Sequence, residues 1–221
     1  MILLTAAERL LDQIRAGAHT AVVVHDPSNM FYLTEGYTGE GAVYISEASR
    51  VIVTDFRYTE QAERQAPGFE VEMTGKDRKA DQVLAALVHD GGITELRVET
   101  NYLSVDSYES LRAAVGEEVS CAPLAEAPQK LRQVKTPTEV LAIRKACDIT
   151  SEAFNAILPK IREGMTEKEL QIELDFTMFR LGAEELAFST IVASGENGSL
   201  PHAIPGSRGS RAAGCRFLRR R

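Results

Sequence analysis

Four histidines, three cysteines and 32 acidic residues are the raw material for metal binding or acid–base chemistry in this chain of 221 residues. Such chemistry needs several of these side chains converging on one point, and short ligand spacing is the form of convergence that a sequence displays directly. None is present. His19, His25, His89 and His202 are far apart and form no HxxxH or HxxEH pair. Asp148 and Glu152 stand one helical turn apart, an arrangement that more often marks a solvated helix face than a ligand pair. Cys121, Cys147 and Cys215 are too few and too scattered for a disulfide framework or a CxxC knuckle, which leaves free or buried thiols in a reducing compartment. There is no G-x-S-x-G elbow, P-loop or G-x-G-x-x-G, so nucleophilic serine, phosphate-binding and dinucleotide-binding chemistry have no local support. The informative stretch is Ile191-Val192-Ala193-Ser194-Gly195-Glu196-Asn197-Gly198-Ser199-Leu200-Pro201-His202-Ala203. An apolar extended run gives way to a Gly-rich turn, which delivers His202 between a proline and a small residue. On its chemistry alone, a loop histidine is more often a surface residue than a catalyst.

The elements that must position this loop can be read from the apolar pattern. Residues 5–16 read as an amphipathic helix, and Ala21-Val22-Val23-Val24 as a buried strand ending in the turn His25-Asp26-Pro27-Ser28. The runs 42–45 and 51–53 flank a short polar turn and predict a hairpin. Helix is expected at 58–64, 81–88 and 108–114, and strand at 69–71 and 96–98. Together they predict an α/β domain with a mixed sheet and flanking helices, closing near Pro123 to Pro128 with a linker around Leu131 to Lys135.

A second unit opens at Thr136-Pro137-Thr138-Glu139, where a threonine N-cap, a proline at the first helical position and a glutamate at the third form a capping box. Val140, Ile143, Cys147, Thr150, Phe154, Ile157 and Ile161 then mark one stripe of a long helix that Gly164 ends. Thr166-Glu167-Lys168-Glu169 is another capping box, with Leu170, Leu174, Met178 and Leu181 as the next stripe. Residues 188–193 read as a strand leading into the His202 loop.

Composition narrows the partners. A net charge of −7 argues against general nucleic-acid binding, which needs a concentrated positive surface. The apolar opening Met1-Ile2-Leu3-Leu4 is interrupted by Glu8, Arg9 and Asp12 before a signal-peptide core could form, and no stretch approaches a membrane span. A cytoplasmic protein is expected.

The 191–203 stretch closely resembles the IVASG-N-PHA segment of the pita-bread metallopeptidases, the family of aminopeptidase P, prolidase and creatinase. Residues 131–135 through Ile143-Arg144-Lys145-Ala146 resemble the linker and first helix of that family's catalytic domain. Phe31-Tyr32-Leu33-Thr34, Thr38-Gly39, Thr54-Asp55-Phe56-Arg57-Tyr58 and Gln61-Ala62 resemble its creatinase-type N-terminal domain. The resemblance implies a creatinase-like α/β domain over residues 1–132 and the first part of an α+β pita-bread catalytic domain over 133–208. It implies a hydrolase that cleaves the bond before proline with two divalent metals, manganese, cobalt or zinc, which activate a bridging water and polarise the scissile carbonyl. Peptides with proline in second position would be the substrates, two copies would form a homodimer, and His202 would contact substrate and the tetrahedral intermediate. The first domain would shape access to the site and mediate subunit contacts, which leaves Arg57 and Tyr58 open to a structural or a substrate-facing role, and neither is assigned one.

The same resemblance sharpens a departure. In the family a D-x-V-x-x-D-x-G strand after the histidine carries the first metal ligand, and this sequence has no such strand. Residues 209–221 hold five of the 25 basic residues and none of the 32 acidic ones. Permitted codons exist for which a shift of one nucleotide after Arg208 would restore the motif. The expectation is therefore a chain truncated before its metal ligands, with no metal of its own and no peptidase activity alone. The alternative is a non-catalytic dimerisation or partner-binding module.

Overall fold

The computed structural model describes residues 4–209, which divide after Val134 into two compact units. Unit 1 opens with α1 (Ala6–Gln13), whose N-cap Thr5 exchanges two hydrogen bonds with Glu8 at 2.7 and 3.2 Å. The strands β1 (Thr20–Val24), β2 (Ala42–Ser46), β3 (Arg50–Asp55), β4 (Glu70–Thr74), β5 (Glu95–Val98) and β6 (Ser120–Pro123) form one sheet in the order β4-β3-β2-β1-β5-β6. The pairs β1/β2 and β2/β3 are antiparallel and the others parallel, giving the mixed α/β sheet expected of a creatinase-like domain.

The unbroken apolar runs follow from the sheet being covered on both faces, since successive side chains of a strand point to opposite sides. Val23, Tyr44, Val51 and Val53 point to one core, which α4 (Ala80–Asp90) and α5 (Val105–Val115) close with Leu84, Val88, Leu111 and Val115. Val22, Val43, Ile45 and Ile52 point to the other, together with Leu10 of α1, Met30 and Leu33 of α2 (Pro27–Thr34), Ala62 of α3 (Thr59–Gln65) and Ala127 of α6 (Ala127–Gln133).

Three segments of unit 1 and its boundary differ from the sequence expectation. The stretch read as a turn at 25–28 starts α2: the Asp26 carboxylate accepts the Asn29 N–H at 3.0 Å, and Pro27 fits the first helical position because its missing N–H has no intrahelical partner there anyway. The expected linker around 131–135 is largely helical, since α6 runs through Gln133 with a proline in its first turn. The strand β6 was not expected either, and it forms where the edge of β5 offers a parallel partner, Leu96 opposite Cys121.

Unit 2 contains α7 (Pro137–Ile157), a 3-10 turn at Leu158–Lys160, α8 (Glu167–Arg180) and a second 3-10 turn at Gly195–Ser199. Both expected capping boxes are present, Thr136 with Glu139 and Thr166 with Glu169. α7 gives way at Leu158 to the 3-10 turn Leu158–Lys160, earlier than the apolar stripe suggested, since Pro159 has no N–H to continue the α-helical ladder. Of the stripe only Ile157 is buried: with Ala153 beside it, it packs against Met165, Leu170, Leu174, Met178 and Val192, while Val140, Ile143 and Phe154 stay exposed. The strand expected at 188–193 does not form; of that stretch Val192 alone lies in an isolated bridge. Among the described residues, no helix is long and apolar enough to cross a membrane. The Arg-rich stretch from 210 onward, with Cys215, lies outside them.

Candidate functional site

The loop that carries His202 is built on the N-terminus of α8. Val192, Ala193 and Ser194 are buried as the chain enters it, and Gly195 takes a φ of +54°, a left-handed conformation that glycine adopts without steric cost. The 3-10 turn follows, with Leu200 N–H donating to the Asn197 carbonyl at 2.9 Å. Pro201 and His202 are then exposed, and Ala203 is buried again. The chain returns alongside α8, where the Gly206 and Arg208 carbonyls accept the N–H groups of Lys168 and Glu167 at 3.1 and 3.0 Å. These are donors that the first turn of a helix cannot satisfy internally.

At the centre lies Glu167, only 1% exposed. Its Oε1 accepts the Ser194 N–H at 2.7 Å, the Ser194 hydroxyl at 3.0 Å and the Asn197 amide at 3.1 Å. Its Oε2 accepts the same amide at 3.0 Å and the Gly206 N–H at 3.2 Å. Burial raises the pKa of this carboxyl, but the hydrogen bonds from Ser194, Asn197 and Gly206 together outweigh it and hold the group below the usual glutamate value. The sequence pattern marked Glu167 only as part of a cap. Its donors come from 27 to 39 residues further along the chain, so no local spacing announces them.

The remaining candidates separate clearly. Asp148 and Glu152 are exposed on α7, as a solvated face would be. Arg57 pairs with Asp55 at 2.7 Å and Glu40 at 3.1 Å and lies over the Tyr58 ring, 5.0 Å from its centroid. His19 places Nδ1 2.8 Å from the Gly92 carbonyl, a local contact in unit 1. Within unit 2 a groove of about 950 Å³ lies between α7, α8 and residues 182–191, lined by Ile149, Phe154, Leu174 and Phe188 among others. His202 does not line it. Among the described residues, no three His, Cys, Asp or Glu side chains gather as a metal ion would require, so this part of the chain does not fit a two-metal centre.

Comparison with known proteins places this architecture. The Creatinase/Prolidase N-terminal domain family matches residues 7–134, more than half of the chain, and Metallopeptidase family M24 matches residues 142–218. An uncharacterized peptidase of Bacillus subtilis, YqhT, is 36% identical over 184 residues, which cover 83% of this chain and 51% of that protein. Among solved structures, a Xaa-Pro dipeptidase from Bacillus anthracis superposes with a TM-score of 0.86 at 30% identity, covering 95% of this chain and 58% of its own. An X-Pro aminopeptidase from Thermotoga maritima gives 0.83 at 30%, covering 92% and 58%. The chain thus spans between half and three-fifths of the length of these relatives. With its mixed N-terminal sheet and its capped helix pair leading into the His202 loop, the chain belongs to the creatinase and prolidase family of M24 metallopeptidases.

Proposed function

We propose that this chain serves hydrolysis of the peptide bond before proline, and that its described residues supply the substrate-facing loop, with His202 as the side chain that meets substrate. The observation that carries this reading is the loop itself: its two ends are tied to one buried carboxylate, while His202 is left exposed on the part between them. A fastened loop with an exposed imidazole suits contact with a peptide carbonyl, because a pre-placed donor loses little freedom when substrate binds. The Bacillus anthracis and Thermotoga maritima proteins, named for Xaa-Pro substrates, support the same reading.

Divalent metal, whether manganese, cobalt or zinc, would supply a Lewis acid and a hydroxide near neutral pH in a complete enzyme of this family. The described residues hold no cluster that would ligate it. The test uses the purified chain, its mass verified, with an Xaa-Pro dipeptide as probe. The His202 ring resonances, assigned by their absence in His202→Ala, are expected to shift on adding the dipeptide, and binding of the dipeptide is expected to weaken in that variant. Unchanged resonances at saturating dipeptide would remove His202 from the substrate site. Turnover stimulated by manganese, cobalt or zinc is not expected from this chain, and finding it would place a working metal centre within these 221 residues.

A further inference from the structure

Glu167 has more partners than a helix cap needs. The first turn of α8 is already capped by Thr166, whose hydroxyl accepts the Glu169 N–H at 3.1 Å while the Glu169 carboxylate accepts the Thr166 N–H at 2.8 Å. A carboxylate buried to 1% exposure is costly to remove from water unless its lone pairs are filled, and here they are filled wholly from the loop. Ser194 and Gly206 bracket the segment that contains His202, and their N–H groups meet on the two oxygens of one side chain. Asn197, between them, donates to both oxygens. Within the loop itself the backbone bonds are short-range, Asn197 to Ser194 and Leu200 to Asn197, and they cannot hold one end against the other.

We propose that Glu167 is the positioning residue of the His202 loop, a buried carboxylate on which both ends of segment 194–206 are assembled so that His202 is presented in one fixed place. The purpose given to that placement rests on the substrate-contact role proposed above. The anchoring does not, and it is measured without turnover, so either can fail while the other stands.

The experiment uses the full chain, isotope-labelled for NMR, in three forms: wild type, Glu167→Gln and Leu174→Ala. The glutamine variant keeps one acceptor oxygen but turns an NH₂ group toward donors, so part of the set must separate. Exchange protection of the Ser194 and Gly206 amides is expected to fall roughly tenfold or more, as for loss of a hydrogen bond to a charged group. The His202 ring signals are expected to shift or broaden with it. Leu174→Ala thins the same core from a buried position and controls for general loosening. At equal or greater loss of thermal stability, it should leave the His202 signals where they are in wild type. Unchanged His202 signals in Glu167→Gln, or equal displacement in Leu174→Ala, would overturn the proposal. Should the glutamine variant not fold, the wild type supplies a second reading: the amide signals of Ser194, Asn197 and Gly206 are expected to titrate together, with one midpoint below the usual glutamate range. Separate midpoints, or none, would overturn it equally.

Discussion

At the carboxyl ends of β1 and β5, His25 and Glu99 share one polar cluster. Glu99, 1% exposed, accepts the His25 and Asp26 N–H groups at 2.7 and 2.8 Å and the Asn29 amide at 2.6 Å, while Arg132 donates to the Asn29 oxygen at 2.8 Å. The chain of bonds ties α6 and α2 to the sheet, and every lone pair it uses is one that burial would otherwise penalise. Burial acts on the two titratable groups in opposite directions. It pushes Glu99 up, partly offset by those hydrogen bonds, and it pulls His25 down to about 4, opposed only by the charge of Asp81. The Nδ1 atom of His25 is buried with no hydrogen-bond partner, which fits a neutral ring. Because the unfolded histidine takes up its proton near the ordinary value of 6.5, the native state binds fewer protons between there and about 4. The stability held by neutral His25 is therefore complete above that ordinary value and is lost as pH falls through the lower one. The ceiling on that loss is about 3 kcal/mol. Glu99 has the opposite sign: its protonated form favours the fold, so its contribution weakens as pH rises from the ordinary glutamate value to the raised one. Comparing wild type with His25→Phe isolates the histidine. Urea unfolding followed at about pH 7.5 and about pH 4.5 should show a smaller loss on acidification in the variant. Equal losses would assign the pH dependence elsewhere.

Among the elements, the β2–β3 hairpin depends on one backbone position. Gly41 has a φ of +135°, and a Cβ there would lie 2.2 Å from the Val53 carbonyl oxygen, backbone that cannot move aside without breaking the ladder. Gly41→Ala is expected to destabilise unit 1 by about 3 kcal/mol or more, combining strain with a steric clash. A tyrosine-fluorescence melt checks this, and a change below about 0.5 kcal/mol, typical of a neutral surface site, would contradict it. The hairpin was legible in the sequence because its valines and isoleucines are buried on both faces and so form unbroken runs. The elements that were not legible owe their form to partners. Asp26-Pro27 suits a turn and a helix start equally, and only the bond to Asn29 decides. Ser120-Cys121-Ala122-Pro123 has little strand character, and it is a strand because β5 lies beside it. Residues 188–193 have the strand character, yet only Val192 takes part in an isolated bridge and no strand forms there. The His202 loop could be read from its glycines and its resemblance to a family segment. Glu167 could not, since its role exists only once distant parts of the chain are brought together.

For the molecule as a whole, the two units differ in how much apolar surface they manage to bury. Unit 1 fills both faces of a six-stranded sheet. Among the described residues, unit 2 forms one small cluster around Ile157, Leu174 and Met178. It leaves Leu141 66%, Phe176 63% and Ile204 86% exposed. Since buried apolar area is the main favourable contribution to folding, unit 2 should be the less stable of the two. The sequence provides a clean way to see this. All six tyrosines, Tyr32, Tyr37, Tyr44, Tyr58, Tyr102 and Tyr108, fall in unit 1, and there is no tryptophan anywhere. Tyrosine fluorescence therefore reports unit 1 alone, whereas far-UV circular dichroism sums the helices of both units. In a urea titration the dichroism should begin to fall at lower denaturant than the fluorescence, as α7 and α8 melt first. Coincident curves would mean a single cooperative transition, and would require that the exposed apolar faces of unit 2 be protected in solution.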